Sequence, residues 1–176
     1  MKYVVYVFLI LFSNIKLFIL KIVGKKINFK NFIVLYPFVS FKTINKGKIL
    51  INNKVFLKNN VEINCDGGLI ELKGNNYINR NTIIVSHHKI IIGENTTIGP
   101  NCCIYDHDHD GKGGFISKPI EIGKNVWIGA GCIILKDVKI GDNSIIGAGT
   151  LVNKNVPPNS IMINKRNVFI TERKDN

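Results

Sequence analysis

The sequence predicts an all-β solenoid, preceded by an apolar helix and interrupted once by a loop that projects from its side. Three observations carry this: a six-residue period from Ile92 to Val156, a polar insertion after Ile104, and an N-terminal third that is apolar and basic without a single acidic residue. Each element follows from one of them.

Residues 1–30 form the apolar and basic N-terminal segment. Tyr3 to Phe12 is an unbroken apolar run, continued by Ile15, Leu17, Phe18, Ile19, Leu20, Ile22 and Val23 and broken by Asn14, Lys16 and Lys21. A spanning helix wants about 20 apolar residues with few charges, so the two lysines and the asparagine argue against a span. No small-residue cleavage site follows, and the charges come after the apolar run, so a secretory signal is a poor fit. Two placements remain: a helix in a lipid interface with Lys16, Lys21, Lys25, Lys26 and Lys30 near phosphates, or a helix covering the apolar end of the solenoid.

Residues 31–161 form the solenoid. An aliphatic residue recurs at Ile92, Ile98 and Ile104, then at Ile122, Ile128, Ile134, Ile140, Ile146 and Val152, and glycine follows at Gly93, Gly99, Gly123, Gly129, Gly141 and Gly147. A period of six is neither 3.6 nor a long alternation of 2, but it fits short straight segments with one inward aliphatic and a tight corner after each. Glycine is expected at those corners for its backbone freedom. Read backwards, the register gives Leu72, Ile78 and Ile84, and before them Ile51, Leu57 and Ile63. Three-segment turns then start at 51, 72, 92, 122 and 140, and the 30-residue turn from 92 carries twelve more residues than three hexads. The excess falls in about 105–118, YDHDHDGKGGFISK, too polar and glycine-rich for a core, so it projects. Residues 162–176 are read as a C-terminal tail.

The net charge of +12 is uneven. Residues 1–61 hold eleven lysines and no Asp or Glu, while the remaining 115 carry 13 basic and 12 acidic groups, so an anionic surface is expected at the N-terminal end. Nucleic acid is not expected, because basic grooves interleaved with aromatics are absent. Cys65, Cys102, Cys103 and Cys132 have neither paired-ligand nor CxxC spacing and read as buried free thiols of a reducing cytosol.

The hexads, the DHDH loop and the run PIEIGKNVWIGAGCIILKDVKIGDNSIIGAGTLVNKNVPPNS resemble the hexapeptide-repeat acyltransferases, in their sugar O-acetyltransferase branch, over about residues 50–161. The resemblance implies a left-handed parallel β-helix of triangular section, a homotrimer, and acetyl-CoA as co-substrate in the groove between subunits. It implies a catalytic histidine on the projecting loop, placed at His109 by an ungapped match, with His107 the alternative two residues away. It places an acceptor-positioning asparagine at Asn79 and a groove-lining tryptophan at Trp127, beside acceptor and acyl-CoA. Gly129, Ala130, Gly147 and Ala148 match positions along the pantetheine arm, and Lys154 a basic position near the nucleotide phosphates. Beyond Pro157-Pro158 the chain departs from the pattern, with Lys165 and Arg166 as substitute phosphate contacts.

Acyl transfer from a thioester to a hydroxyl needs a base for the hydroxyl proton and donors for the oxyanion, and histidine has the pKa for the first task. Asp106, Asp108 and Asp110 flank both rings as candidate orienting groups, and His87 and His88 are expected at an exposed corner facing the acceptor. The acceptor is expected to be a sugar of a surface polysaccharide or lipid-linked glycan, handled in the cytoplasm at the inner face of the membrane. The alternatives are an N-acetyltransferase of an amino sugar or nucleotide sugar, a non-catalytic scaffold, and a three-histidine zinc site, for which the His-x4-His spacing is missing.

Overall fold

A computed structural model describes residues 2–30 and 32–164. One helix, α1 (Lys2–Ile22), precedes short strands that repeat in threes and stack into three parallel sheets. The first face runs from Ile27–Phe29 through Lys48–Ile51, Leu69–Leu72, Lys89–Ile92 and Ile120–Ile122 to Val138–Ile140. The second runs from Ile33–Leu35 to Ile161–Met162 and includes Tyr77–Ile78, Thr97–Ile98 and Trp127–Ile128. The third runs from Ser40–Ile44 to Leu151–Val152. The chain is a left-handed parallel β-helix of six coils with the start of a seventh. The tail read at 162–176 lies outside the described residues from 165 on, with Lys165 and Arg166.

Every in-phase aliphatic from Ile51 to Val152 is buried, and the register ladder stacks each on its counterpart one coil away, as in Ile78 on Ile98 on Ile128. A coil precedes the first turn read from sequence. Phe29, Leu35 and Phe41 stack on Ile51, Leu57 and Ile63 at a spacing of 22, with no glycine after any of them. That coil obeys the inward rule and keeps the six-residue spacing, with phenylalanine at two of its three inward positions where the coils read from sequence carry aliphatics.

The corners correct one expectation. The left-handed backbone angles fall on asparagine more often than on any other residue, and on none of the in-phase glycines: Asn75, Asn95, Asn125, Asn143 and Asn159 at the edge between first and second faces, and Asn60, Asn81 and Asn101 between second and third. Asparagine tolerates this region and its amide bonds its neighbour one coil on, from Asn75 through Asn95, Asn125 and Asn143 to Asn159. The in-phase glycines are needed for close approach instead. A Cβ on Gly93 would meet the Gly123 carbonyl oxygen at 2.3 Å, and one on Gly129 the Ala148 nitrogen at 2.6 Å.

The helix closes the N-terminal end. Leu17 and Ser13 are fully buried against the first coil. The Ser13 hydroxyl accepts from the Leu35 amide at 2.7 Å, and Lys16 Nζ donates to the Val39 carbonyl at 2.6 Å. End coils expose unpaired backbone groups and apolar interior, and α1 covers both. No described helix is long and apolar enough to cross a membrane.

Candidate active site

After Cys103–Tyr105 the chain leaves the third face and forms an antiparallel hairpin, His107–His109 against Phe115–Ser117, with His109 opposite Phe115. Asp110 builds its turn by accepting from the amides of Lys112 at 2.7 Å and Gly114 at 2.8 Å. Those amides hold its pKa below the ordinary carboxylate value, and His109 adds to the effect. Asp108 pairs with Lys136 and Lys118 with Asp137, which moors both hairpin strands to the next coil.

Asp106 anchors the base of the hairpin. Its carboxylate is fully buried and accepts from Ser86 Oγ at 2.6 Å and from the amides of His87, His88 and Lys89 at 2.8, 2.9 and 2.7 Å. A buried carboxylate is tolerable when hydrogen bonds replace its hydration, and here three backbone donors and a hydroxyl do so.

An aromatic cluster fills the space between hairpin and coil. His87 stacks on Phe115 with centroids 4.2 Å apart, and His107 meets His87 edge-on at 4.2 Å. The half-buried His107 ring sets its Nδ1 3.4 Å from Asp106 Oδ1. Burial first, then the neighbouring His87, push the His107 pKa below its ordinary value, against the pull of Asp106. His109 is exposed, 4.9 Å from Phe115 between ring centres. His87 is half-buried, contrary to the exposed corner expected for it, whereas His88 is exposed. Among the described residues no three His, Cys, Asp or Glu side chains gather as a metal site requires. The four cysteines are free, and Cys65, Cys102 and Cys132 are buried.

The remaining candidates lie elsewhere. Trp127, 58% exposed, points out from the second face, in register with Thr97 and Tyr77. Just past these strands, Asn79, Gly129 and Gly147 share the edge between second and third faces, with Ala130 and Ala148 exposed beside the two glycines. The amides of Ala130 and Ala148 donate to no backbone carbonyl among the described residues. The hairpin leaves from the opposite edge of the third face, and Lys154 is exposed on that edge too. Within one chain, then, the histidines and the Trp127 strip occupy different edges of the prism.

The family description "Bacterial transferase hexapeptide (six repeats)" matches residues 119–154, and "Hexapeptide repeat of succinyl-transferase" matches 89–104. Over those two stretches the chain matches the hexapeptide repeat of bacterial acyltransferases. Nodulation protein L of Rhizobium meliloti is 41% identical over 74 residues, which is 38% of this chain and 40% of that protein, so the chain spans less than half of that relative's length. A galactoside acetyltransferase solved in complex with coenzyme A is 33% identical, covering 70% of this chain and 61% of that one at a TM-score of 0.57. The Bacillus cereus N-acyltransferase AntD, at 21% identity and a TM-score of 0.67 over 89% of this chain and 88% of its own, shares the fold.

In this chain the sequence singled out the loop but not its anchor. The Ser86–Lys89 corner faces Asp106 because 20 residues separate Ser86 from Asp106, the same step that carries Ile84 to Ile104. Applied to polar residues, the coil spacing finds that pair. Phe115 had no such signal, because only the hairpin pairing brings it to His87 and His109.

Proposed function

We propose that the chain is an acetyl-CoA-dependent O-acetyltransferase acting on a sugar hydroxyl in a surface polysaccharide or lipid-linked glycan, as a homotrimer, with His109 as general base. The observation that carries this is the separation of the two edges. A projecting exposed histidine and a strip of small residues under an exposed tryptophan belong to one reaction only if a second copy brings its hairpin beside this chain's Trp127. Residues 1–30 give this reading its peripheral membrane contact, on the cytoplasmic side where acetyl-CoA is available.

In the step, His109 takes the proton of the acceptor hydroxyl as its oxygen attacks the thioester carbonyl. The tetrahedral oxyanion collapses by breaking the C–S bond, and the thiolate leaves with a proton from the imidazolium. The pantetheine arm lies along Gly129 and Gly147, where a side chain would collide with the next coil, and the unpaired amides of Ala130 and Ala148 supply donors to it. Asn79 and Trp127 hold the acceptor side of the same edge, and Lys154 serves the nucleotide end from a neighbouring copy. His107, packed among His87, Phe115 and Tyr105, positions the hairpin.

The test measures thioester release from acetyl-CoA with free sugars, lipid-linked glycans and amino sugars as acceptors. His109→Ala lowers kcat by about 10²–10⁴ with acetyl-CoA affinity retained, and His107→Ala lowers it less. Loss confined to His107→Ala would move the base two residues upstream. Mixing His109→Ala with Trp127→Ala chains in equal amounts restores one working site in each mixed trimer, about one site in four overall, if the site lies between copies; no recovery would place it within one chain. Turnover only with amino sugars would make the enzyme an N-acetyltransferase.

A further inference from the structure

The end of the solenoid that α1 closes has a second face of its own. Ser13 and Leu17 point into the first coil, while Val7, Phe8, Leu11, Phe12, Ile15, Phe18, Ile19 and Ile22 are exposed on the other side. At 100° per residue these eight make a stripe roughly 140° wide, with Lys16 and Lys21 on its two borders. A helix that needed only to cap a solenoid would turn polar residues outward. This one is apolar on both sides.

The first coil adds an independent observation. At the corners where higher coils place Asn75 and Asn81, it places Phe32 and Phe38. Both sit in left-handed backbone, at φ 60° and 63°, a region costly for a bulky side chain, and both rings are exposed, at 62% and 79%. Asparagine would satisfy the backbone better at either corner. Strain kept to hold an aromatic ring in water points to a surface that the ring meets.

We infer that the outer face of α1, with Phe32 and Phe38, docks on an anionic lipid surface and stands the β-helix on its N-terminal end. The inference rests on the membrane contact proposed above and fixes its face, lipid charge and orientation. Charge selects the occupant: residues 1–61 carry eleven lysines and no acidic residue, so a second copy docked end to end would set lysine against lysine, whereas anionic headgroups neutralise them. Because α1 lies across the first coil, the hairpin in the fourth coil stands on the order of 20 Å above the lipid, from about 4.8 Å per coil plus the helix thickness. That height suits an acceptor sugar held a few residues out from a lipid anchor.

The test is co-sedimentation of the full chain with vesicles of 3:1 phosphatidylcholine to phosphatidylglycerol and of phosphatidylcholine alone, with thioester release on a soluble sugar measured in parallel. Binding to the anionic vesicles is expected, weakened by salt and lowered about tenfold or more by Lys21→Glu with Lys26→Glu. The decisive variant is Phe32→Asn with Phe38→Asn, expected to keep or raise the melting temperature while weakening vesicle binding. Unchanged binding in that variant, or equal binding to neutral vesicles at all salt concentrations, overturns the inference. So does a doubled particle mass that the same variant abolishes, since a second copy would then be the occupant. No thioester release with any acceptor of the panel, lipid-linked glycans included, with vesicle binding intact would sink the catalytic reading and leave the docking surface standing.

Discussion

The two edges of the third face are built by opposite rules. At the edge shared with the second face, every coil repeats one pattern: a buried aliphatic, then a residue with no room for a side chain in the upper coils, then Asn101 or Gly131 or Gly149 in left-handed backbone. At the edge shared with the first face, the pattern breaks in the fourth coil, and the excursion is held by a buried charge, a ring cluster and two ion pairs. Repetition makes a smooth rail suited to an extended ligand. Interruption makes a single projecting arm, and an arm must be anchored by polar contacts because it has no core of its own.

The contrast breaks most severely at Asp106. Asp106→Asn removes the charge that four donors share, and we expect a loss of about 2–4 kcal/mol in unfolding free energy together with lower turnover, as the hairpin loses its base. Urea denaturation and steady-state rates check it; full stability would mean that the ion pairs to Lys136 and Asp137 suffice. On the other edge, Gly129→Val drives a branched side chain toward the Ala148 nitrogen, for a cost of roughly 1–3 kcal/mol. If the rail also holds the pantetheine arm, the KM for acetyl-CoA rises more than kcat falls, whereas a stability loss with unchanged KM would leave the glycine purely structural.

The smallest effect is in pH. The folded-state pKa of His107 lies below its ordinary 6.5, so the folded chain binds fewer protons than the unfolded chain in the window beneath that value. Its contribution is fully present above about pH 6.5 and is lost as pH falls below it. Melting temperatures measured from pH 5 to 8 should decline on the acid side less steeply in His107→Phe than in the wild type. Parallel curves would show that His107 is not held as a neutral ring.

Much of the fold was legible because a solenoid writes its core as a period. Ile51 to Val152 could be assigned to the interior one by one, since each coil contributes the same inward position. The first coil was not, because Phe29 and Phe41 put aromatics at two of its three inward positions, where the register read from sequence follows aliphatics. The glycines themselves were found for the wrong reason: backbone freedom belongs to the asparagines, and the absence of a side chain is what the next coil requires. Of the site, the loop and its two histidines stood out by composition. The anchoring part of Asp106 did not, because three aspartates with the same histidine neighbours differ only in which faces the coil.

The period alone determined the stacking of coils, the inward residues and the place where the chain must leave the helix, because these depend on local spacing repeated along the chain. Tertiary structure alone decided which aspartate is buried, which histidine is packed and which is open, and that Trp127 and the hairpin lie on different edges. Those depend on contacts between residues about 20 apart or on opposite sides of the prism. It also decided that α1 caps the first coil while turning a second apolar face outward, since a helix apolar all round does not say which stripe the protein will cover.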